Sequence, residues 1–515
     1  MKNVKKAICL GLSLCTLGTS LFAGACGGSN ENREDTLYVA VINKGYGLDW
    51  IYGLLDAYCA KHEGLKYELA PAYDDSTIRT KVETGVQYCN YDLIFTGARE
   101  PADGNFLADL SDVYAYQYES GTRAGQTVEA SMESRIKKAM TKRSDGLAYK
   151  VMPWTSSTSG LMINEKVMVD NFGTDWQNIY KLRTTNELLE LCADLAEKEI
   201  PAFLHNAATN TYGSMFYTWF AQYNGVEGVD NFYNGIYVDE LGKKKIGPEV
   251  ALNKGTEEAA KAMESVFGAG YSHKDSNGYQ SAKESQTFFF LGKSALYVNG
   301  DWLKREMSMQ FPNAQIRMYP IPVLSSIGTK YGITEEQLLT LIDYVDATND
   351  GLTAEKPNIS TDEYTADELI EEIREARSWD NTIADYNTAA VTSYSTKLDV
   401  AKDFLKFMCS DEGQEIYVNK LDGLTMCYGY DLKAHEGYSS LPTFAKDRWE
   451  IVKNATYHYV DFTTKYGEAG LKPFAIMSQG PLEVLMSRTN NKKSAKDVYD
   501  YDYEYYRQVW NTYEN

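Results

Sequence analysis

Leu37-Tyr38-Val39-Ala40-Val41-Ile42, running into Asn43-Lys44-Gly45-Tyr46-Gly47 and then Leu48-Asp49-Trp50-Ile51-Tyr52-Gly53-Leu54-Leu55, decides the fold class. Six successive apolar residues without polar alternation mark a strand covered on both faces, as in a parallel sheet flanked by helices. The loop then releases the chain into a helix predicted over 49–62. Ile51, Leu54, Leu55 and Tyr58 return there at helical spacing, and Gly64 ends the run. Downstream, Tyr67–Ala70 reads as a second strand, Ser76–Gly85 as a short helix and Asp92–Phe95 as a third buried strand. Strand–helix–strand–helix–strand in this order argues for an α/β protein with a parallel sheet. Such sheets bind ligands beyond the carboxyl ends of their strands, here the loops at 43–47 and 96–100.

The remaining chain continues the alternation. Gly160–Asn164 and Ser294–Val298 read as strands, and Ile316–Val323 is extended because Pro320 and Pro322 exclude a helix. Thr184 with Glu187 opens a helix on Leu188, Leu191, Cys192 and Leu195. Val400–Cys409 turns Ala401, Phe404, Leu405 and Met408 inward, and Tyr499, Tyr503, Tyr506 and Trp510 form a packing stripe near the end of the chain. Residues 333–385 stand apart, with 15 acidic residues against Lys356, Arg374 and Arg377. Two helices are legible in this stretch, Thr334–Tyr344 and Thr365–Arg377. Asp346 to Gly351 imitates the start of a calcium loop, but its twelfth position is Pro357, where a bidentate acid belongs. The stretch therefore reads as a solvated acidic insertion.

Over the 515 residues, 72 acidic side chains outnumber 51 basic ones, a formal charge of -21. That balance repels nucleic-acid phosphates and anionic lipid surfaces. The first 25 residues read as a secretory signal: Lys2, Lys5 and Lys6, then an apolar run to Phe22 too short for a membrane span. Ala23-Gly24-Ala25-Cys26 follows and resembles a bacterial lipobox, which implies acylation of Cys26 and a tether through residue 35. Five cysteines remain in the mature chain, Cys59, Cys89, Cys192, Cys409 and Cys427, at wide and irregular spacing without a CxxC. A disulfide framework is not expected.

Signatures of catalysis and of metal binding are missing. The five histidines form no HExxH, and no GxSxG, Walker A or GxGxxG occurs. Ser134 and Lys137 satisfy SxxK without its companion motifs. A carboxylate-pair glycosidase is the enzymatic alternative, because sequence spacing does not test it. Aromatic residues abound: 40 Tyr, 18 Phe and 8 Trp. Flat rings beside Asp, Asn and Lys suit the C–H faces and hydroxyls of sugars. Predicted loops combine these types at Lys44 and Tyr46, at Tyr73 with Asp74, at Trp154, at Asp301 with Trp302, and at Tyr394.

Four segments in order carry a family resemblance. Phe289-Phe290-Leu291-Gly292-Lys293-Ser294-Ala295-Leu296-Tyr297-Val298-Asn299-Gly300-Asp301-Trp302 is the most specific. The others are Gly160-Leu161-Met162-Ile163-Asn164-Glu165, the helix from Ala401 to Met408 with Ser410-Asp411-Glu412-Gly413-Gln414, and Ile42-Asn43-Lys44-Gly45-Tyr46-Gly47. Together they resemble the extracellular solute-binding lipoproteins of bacterial carbohydrate ABC transporters, similar to maltodextrin binders.

The resemblance implies a two-lobed periplasmic-binding-protein-like fold of type II, with discontinuous lobes joined by a hinge. On that reading 36–152 with 386–428 form one lobe, 153–325 with 429–515 the other, and 326–385 an insertion near the hinge. It also implies a monomer, without cofactor, anchored on the outer face of the cytoplasmic membrane of a Gram-positive cell. Its partners would be a carbohydrate and the permease subunits. Lys44 would bond a sugar hydroxyl and Trp302 would stack on a ring, with Tyr46, Asp74, Trp154, Asp301 and Tyr394 as further candidates from loop position. Thr96 stands where maltodextrin binders carry an aromatic residue, which argues against a maltose-type ligand. A receptor for a non-sugar solute is the remaining alternative.

Overall fold

The computed structural model describes residues 35–143, 145–205, 212–267, 270–276, 281–382, 387–458, 463–473 and 493–514. The signal segment, Cys26 and its tether lie outside the described residues.

The opening stretch folds as its pattern dictates. Strand β1 (Thr36–Ile42) is followed by the helix Asp49–Lys61, and Trp50, Ile51, Leu54, Leu55 and Tyr58 are buried on the face that the helical spacing selects. Strands β2 (Lys66–Ala72) and β3 (Leu93–Phe95) flank β1 in parallel, with Val39 paired to Leu69 on one side and to Leu93 on the other. Strand β4 (Met152–Pro153) completes this sheet from a distance, through β11 (Thr388–Val391), in the order β2-β1-β3-β11-β4. β11 runs antiparallel to both neighbours, a mixture the parallel expectation did not contain.

A second sheet is built around β5 (Thr158–Asn164), which pairs antiparallel with β8 (Leu296–Gly300), β9 (Ile316–Tyr319) and β10 (Trp379–Thr382). β12 (Tyr457–His458) runs parallel to β10 at the edge. A separate hairpin of β6 (Ile236–Val238) and β7 (Lys244–Ile246) stands outside both sheets.

Each sheet anchors its own apolar core, so the molecule has two lobes. One core runs from Leu37 to Trp154 and resumes from Ala389 to Tyr428; the other runs from Leu161 to Trp379 and resumes at Phe444. The chain passes between them at 154–157, between β10 and β11, and through the segment before Phe444. A small cluster of Val418, Leu432, Trp449 and Val452 sits at the third passage. Trp154 therefore belongs to the first lobe, stacked on Trp50 at 4.6 Å, and not to the second, where the sequence reading put it.

The acidic insertion is also more than a solvated excursion. Its helices Glu335–Asn349 and Ala366–Arg377 each carry a capping box. Leu338, Leu341, Ile342, Val345, Leu369 and Ile373 are fully buried in the second core, and the exposed side of each helix is rich in acids. Cys89, Cys192, Cys409 and Cys427 are buried free thiols, and Cys59 is a partly exposed one.

Candidate functional site

A cavity of about 1110 Å3 opens between the lobes, above the span of about 300–1,000 Å3 usual for small-molecule sites. Its first wall is the loop after β1, residues 42–49, joined by Tyr73, Gly97, Trp154 and Asn387. This is the carboxyl edge of the first sheet, where the strand order placed it. The second wall carries Lys283, Trp302, Arg305, Glu306, Ser308 and Met309. Another groove of about 670 Å3, along Lys166, Phe290 and Asn313, is walled by the second lobe alone.

Beneath the Tyr46 side of the cavity lies its floor, a buried polar network that is shared by both lobes and that only Tyr46 joins to the cavity lining. The Tyr46 hydroxyl donates to Asp301 Oδ1 at 2.7 Å, and Arg448 Nε donates to Asp301 Oδ2 at 2.9 Å. Arg448 Nη1 then donates to Thr425 Oγ1 at 2.6 Å, returning to the first lobe. Asp301 is 1 % exposed and Arg448 fully buried. Burial pushes the Asp301 carboxyl above its ordinary range, with Arg448 and Tyr46 pulling against it. Burial, then the neighbouring Asp301, holds the Tyr46 phenol well above its own range. Bonded charges of this kind tolerate loss of a partner badly.

Trp302 is held by two glycines. A Cβ on Gly300 would fall inside the indole, and one on Gly45 would lie 2.8 Å from its Cβ and Cδ1. The first glycine comes from the second lobe and the other from the first, so the ring closes the gap between them. Arg305 adds an ion pair to Asp49 across the same gap.

Lys44 reaches the cavity while its ammonium is bonded to Asp75 Oδ2 at 2.6 Å. Asp75 Oδ1 also accepts the Gly97 amide at 2.7 Å, tying the two strand-end loops together. At the mouth, Tyr73 on one lobe is 78 % exposed and Met309 on the other 96 % exposed.

Of the candidates read from the sequence, Lys44, Tyr46, Trp154 and Trp302 line the cavity. Asp301 does not: its carboxylate is spent on the floor, because a buried charge takes the nearest donors. Asp74 is off the cavity, capping the helix Asp75–Glu83 through the Ser76 amide. The Ser76 amide and hydroxyl hold its carboxyl below the ordinary range. Tyr394 is also away from it, with its hydroxyl on the Val82 carbonyl at 3.2 Å. Tyr73, read from the sequence beside Asp74, does line the cavity, whereas Asp49, Lys283, Arg305, Glu306, Met309 and Asn387 were missed. Arg305, Glu306 and Met309 follow Trp302 by three, four and seven residues, a helical face legible in retrospect.

Residues 53–446 match the sequence profile of a family described as bacterial extracellular solute-binding protein. The chain belongs to this family. A search of curated proteins returns no match. Among solved structures, the cyclic alpha-maltosyl-1,6-maltose binding protein from Arthrobacter globiformis is similar at a TM-score of 0.56 and 15% identity, covering 93% of this chain and 99% of that one. The GacH receptor of Streptomyces glaucescens, solved unliganded and with acarbose, is similar at 0.54 and 14%, covering 92% and 98%. A family 1 extracellular solute-binding protein from Bifidobacterium longum subsp. infantis is similar at 0.53 and 14%, covering 92% and 99%. At these identities the likeness is one of fold, and it confirms the two-lobed α/β architecture that the sequence resemblance implied.

Proposed function

We propose that this solute-binding protein captures a sugar or oligosaccharide between its lobes and delivers it, chemically unchanged, to an ABC permease. The observation that carries the proposal is the composition of the interlobe cavity. The rings of Tyr73 and Trp302 stand among Asn43, Lys44, Asp49, Arg305, Glu306 and Asn387, flat apolar surface interleaved with hydrogen-bonding groups. That mixture suits a ligand with C–H faces and a rim of hydroxyls. The names of the similar proteins point to the same ligand class. Contacts from both walls favour the closed arrangement of the lobes when ligand is present, so binding shifts the population toward closure. Acylation of Cys26 would keep the protein on the outer face of the membrane, and incorporation of labelled palmitate, lost in Cys26→Ala, tests that part.

Calorimetry and thermal unfolding against a glycan panel test the binding. A ligand at a hundred times its Kd adds about 2.7 kcal/mol of stability, and some saccharide should do so. A panel in which no glycan shifts unfolding, while a peptide or another solute does, would refute the ligand class.

A further inference from the structure

Met309 is the exception among the methionines. The other eleven within the described residues are at most 3 % exposed, whereas Met309 is 96 % exposed. A thioether side chain offered wholly to water forgoes the gain of burial. The turn that carries it is nevertheless well tied. The amides of Gln310 and Phe311 both donate to the Met307 carbonyl, Met307 is buried, and the Phe311 ring stacks on Phe290 at 5.2 Å. The fold therefore presents Met309 outward on a fixed support.

Tyr73 stands in the same situation on the other lobe. It is 78 % exposed, and among the described residues its side chain makes no hydrogen bond or ring contact. The helix start beside it is fixed, with Asp74 accepting the Ser76 amide at 2.9 Å. Both side chains line the interlobe cavity, one from each wall. Towards the floor, the Trp302 ring lies 6.4 Å from that of Tyr46, which bonds Asp301. The cavity thus has an indole at its inner end and a facing phenol and thioether at its mouth.

The charged groups of the lining are largely engaged. Lys44 is bonded to Asp75, Arg305 is paired with Asp49, and Glu306 accepts the Gln286 amide at 3.0 Å. Lys283, exposed on the second wall, has no ion pair among the described residues, so its ammonium can donate to a hydroxyl oxygen.

Taking the cavity as a saccharide site, the reading on which this step rests, we infer that Tyr73 and Met309 form an outer subsite. It grips the C–H faces of a further sugar ring when the lobes close, and the ligand is therefore an oligosaccharide whose inner ring lies on Trp302. A single ring on Trp302 would leave both side chains at the mouth in water. A chain of rings that reaches the mouth covers them from both lobes at once. The phenol supplies a flat face, and the unbranched, polarisable thioether follows the outline of the ring opposite it.

Peroxide footprinting of the full chain tests the subsite, because hydrogen peroxide turns an accessible thioether into its sulfoxide. The eleven buried methionines serve as the internal reference. Raffinose, maltotriose, xylotriose and triacetylchitotriose are the probes, beside D-galactose, D-glucose, D-xylose and N-acetylglucosamine, with calorimetry giving each affinity. At least one trisaccharide should bind and, at saturation, slow sulfoxide formation at Met309 several-fold, while the monosaccharides leave it at its free rate. Met309→Ala and Tyr73→Ala should each weaken that trisaccharide several-fold without moving the unfolding of the unliganded chain. A trisaccharide that binds while Met309 oxidises at its free rate, a monosaccharide that binds as tightly as its trisaccharide, or an affinity untouched by both substitutions would overturn the subsite and leave the saccharide reading standing. If none of these sugars binds, that reading and the subsite fall together.

Discussion

The floor and the mouth of the interlobe cavity are built on opposite principles. At the floor, Tyr46, Asp301, Arg448 and Thr425 are removed from water and bonded in a chain that crosses from lobe to lobe and back. At the mouth, Tyr73 and Met309 offer apolar surface to solvent and are left without such bonds. Buried polar groups are costly unless paired, and apart from Arg448 Nη2 these are, so the floor fixes how the lobes meet. Exposed apolar surface is free to be covered, so the mouth is where the proposed ligand would gain. The difference separates the residues that hold the site from those left open to a guest. Asp301 and Trp302, neighbours in sequence, fall on opposite sides of that division.

The comparison breaks if the floor proves dispensable. Arg448→Met leaves the Asp301 carboxylate buried without its cation and should cost about 3–5 kcal/mol in chemical denaturation. Adding Asp301→Leu should recover a substantial part, since an apolar pair replaces a buried ionic one cheaply. Tyr46→Phe removes one bond and keeps the ring; a loss of about 1–3 kcal/mol is expected from the acceptor left short at Asp301.

The mouth should behave in the reverse manner. Tyr73→Ala should leave unfolding within about 0.5 kcal/mol of the parent, as exposed positions do. It should weaken a glycan found by calorimetry by about 0.5–1.5 kcal/mol, the scale of an aromatic contact. Lost stability with unchanged affinity would reverse the assignment.

The smallest effect belongs to Asp74, beside Tyr73. Ser76 holds its carboxyl below the ordinary range, so its capping contribution is present above the unfolded value of about 3.9. That contribution disappears as the pH falls through the lowered folded value. Melting curves of the parent and Asp74→Ala should therefore keep a constant gap at neutral pH and converge only in strong acid.

Legibility followed locality. The first sheet's parallel half was readable because β1, β2, β3 and their helices lie within a short stretch, each with its own apolar period. The antiparallel insertion of β11 into that sheet was not, because Ala390 meets Ile94 across more than half of the chain and bears no mark of it. The loop at 43–47 was placed correctly as a cavity wall for the same local reason. Asp301 was taken for a ligand contact because a loop carboxylate beside a tryptophan looks accessible, whereas its donors come from residues 46 and 448. In the insertion, composition registers the acids and conceals the apolar stripe from Leu338 to Val345 that burial makes decisive.

By itself the sequence determined the alternating strands and helices, the parallel start of the first sheet and the edge that borders the interlobe cavity. Backbone sterics and apolar periodicity act over a few residues, and they leave their record in any short segment. Tertiary structure alone decided which carboxylates face the cavity and which are spent inside. It also decided that the acidic stretch completes a core, and that Trp154 packs with the first lobe. Those outcomes depend on which distant groups share a buried volume, and burial is a property of the assembled chain.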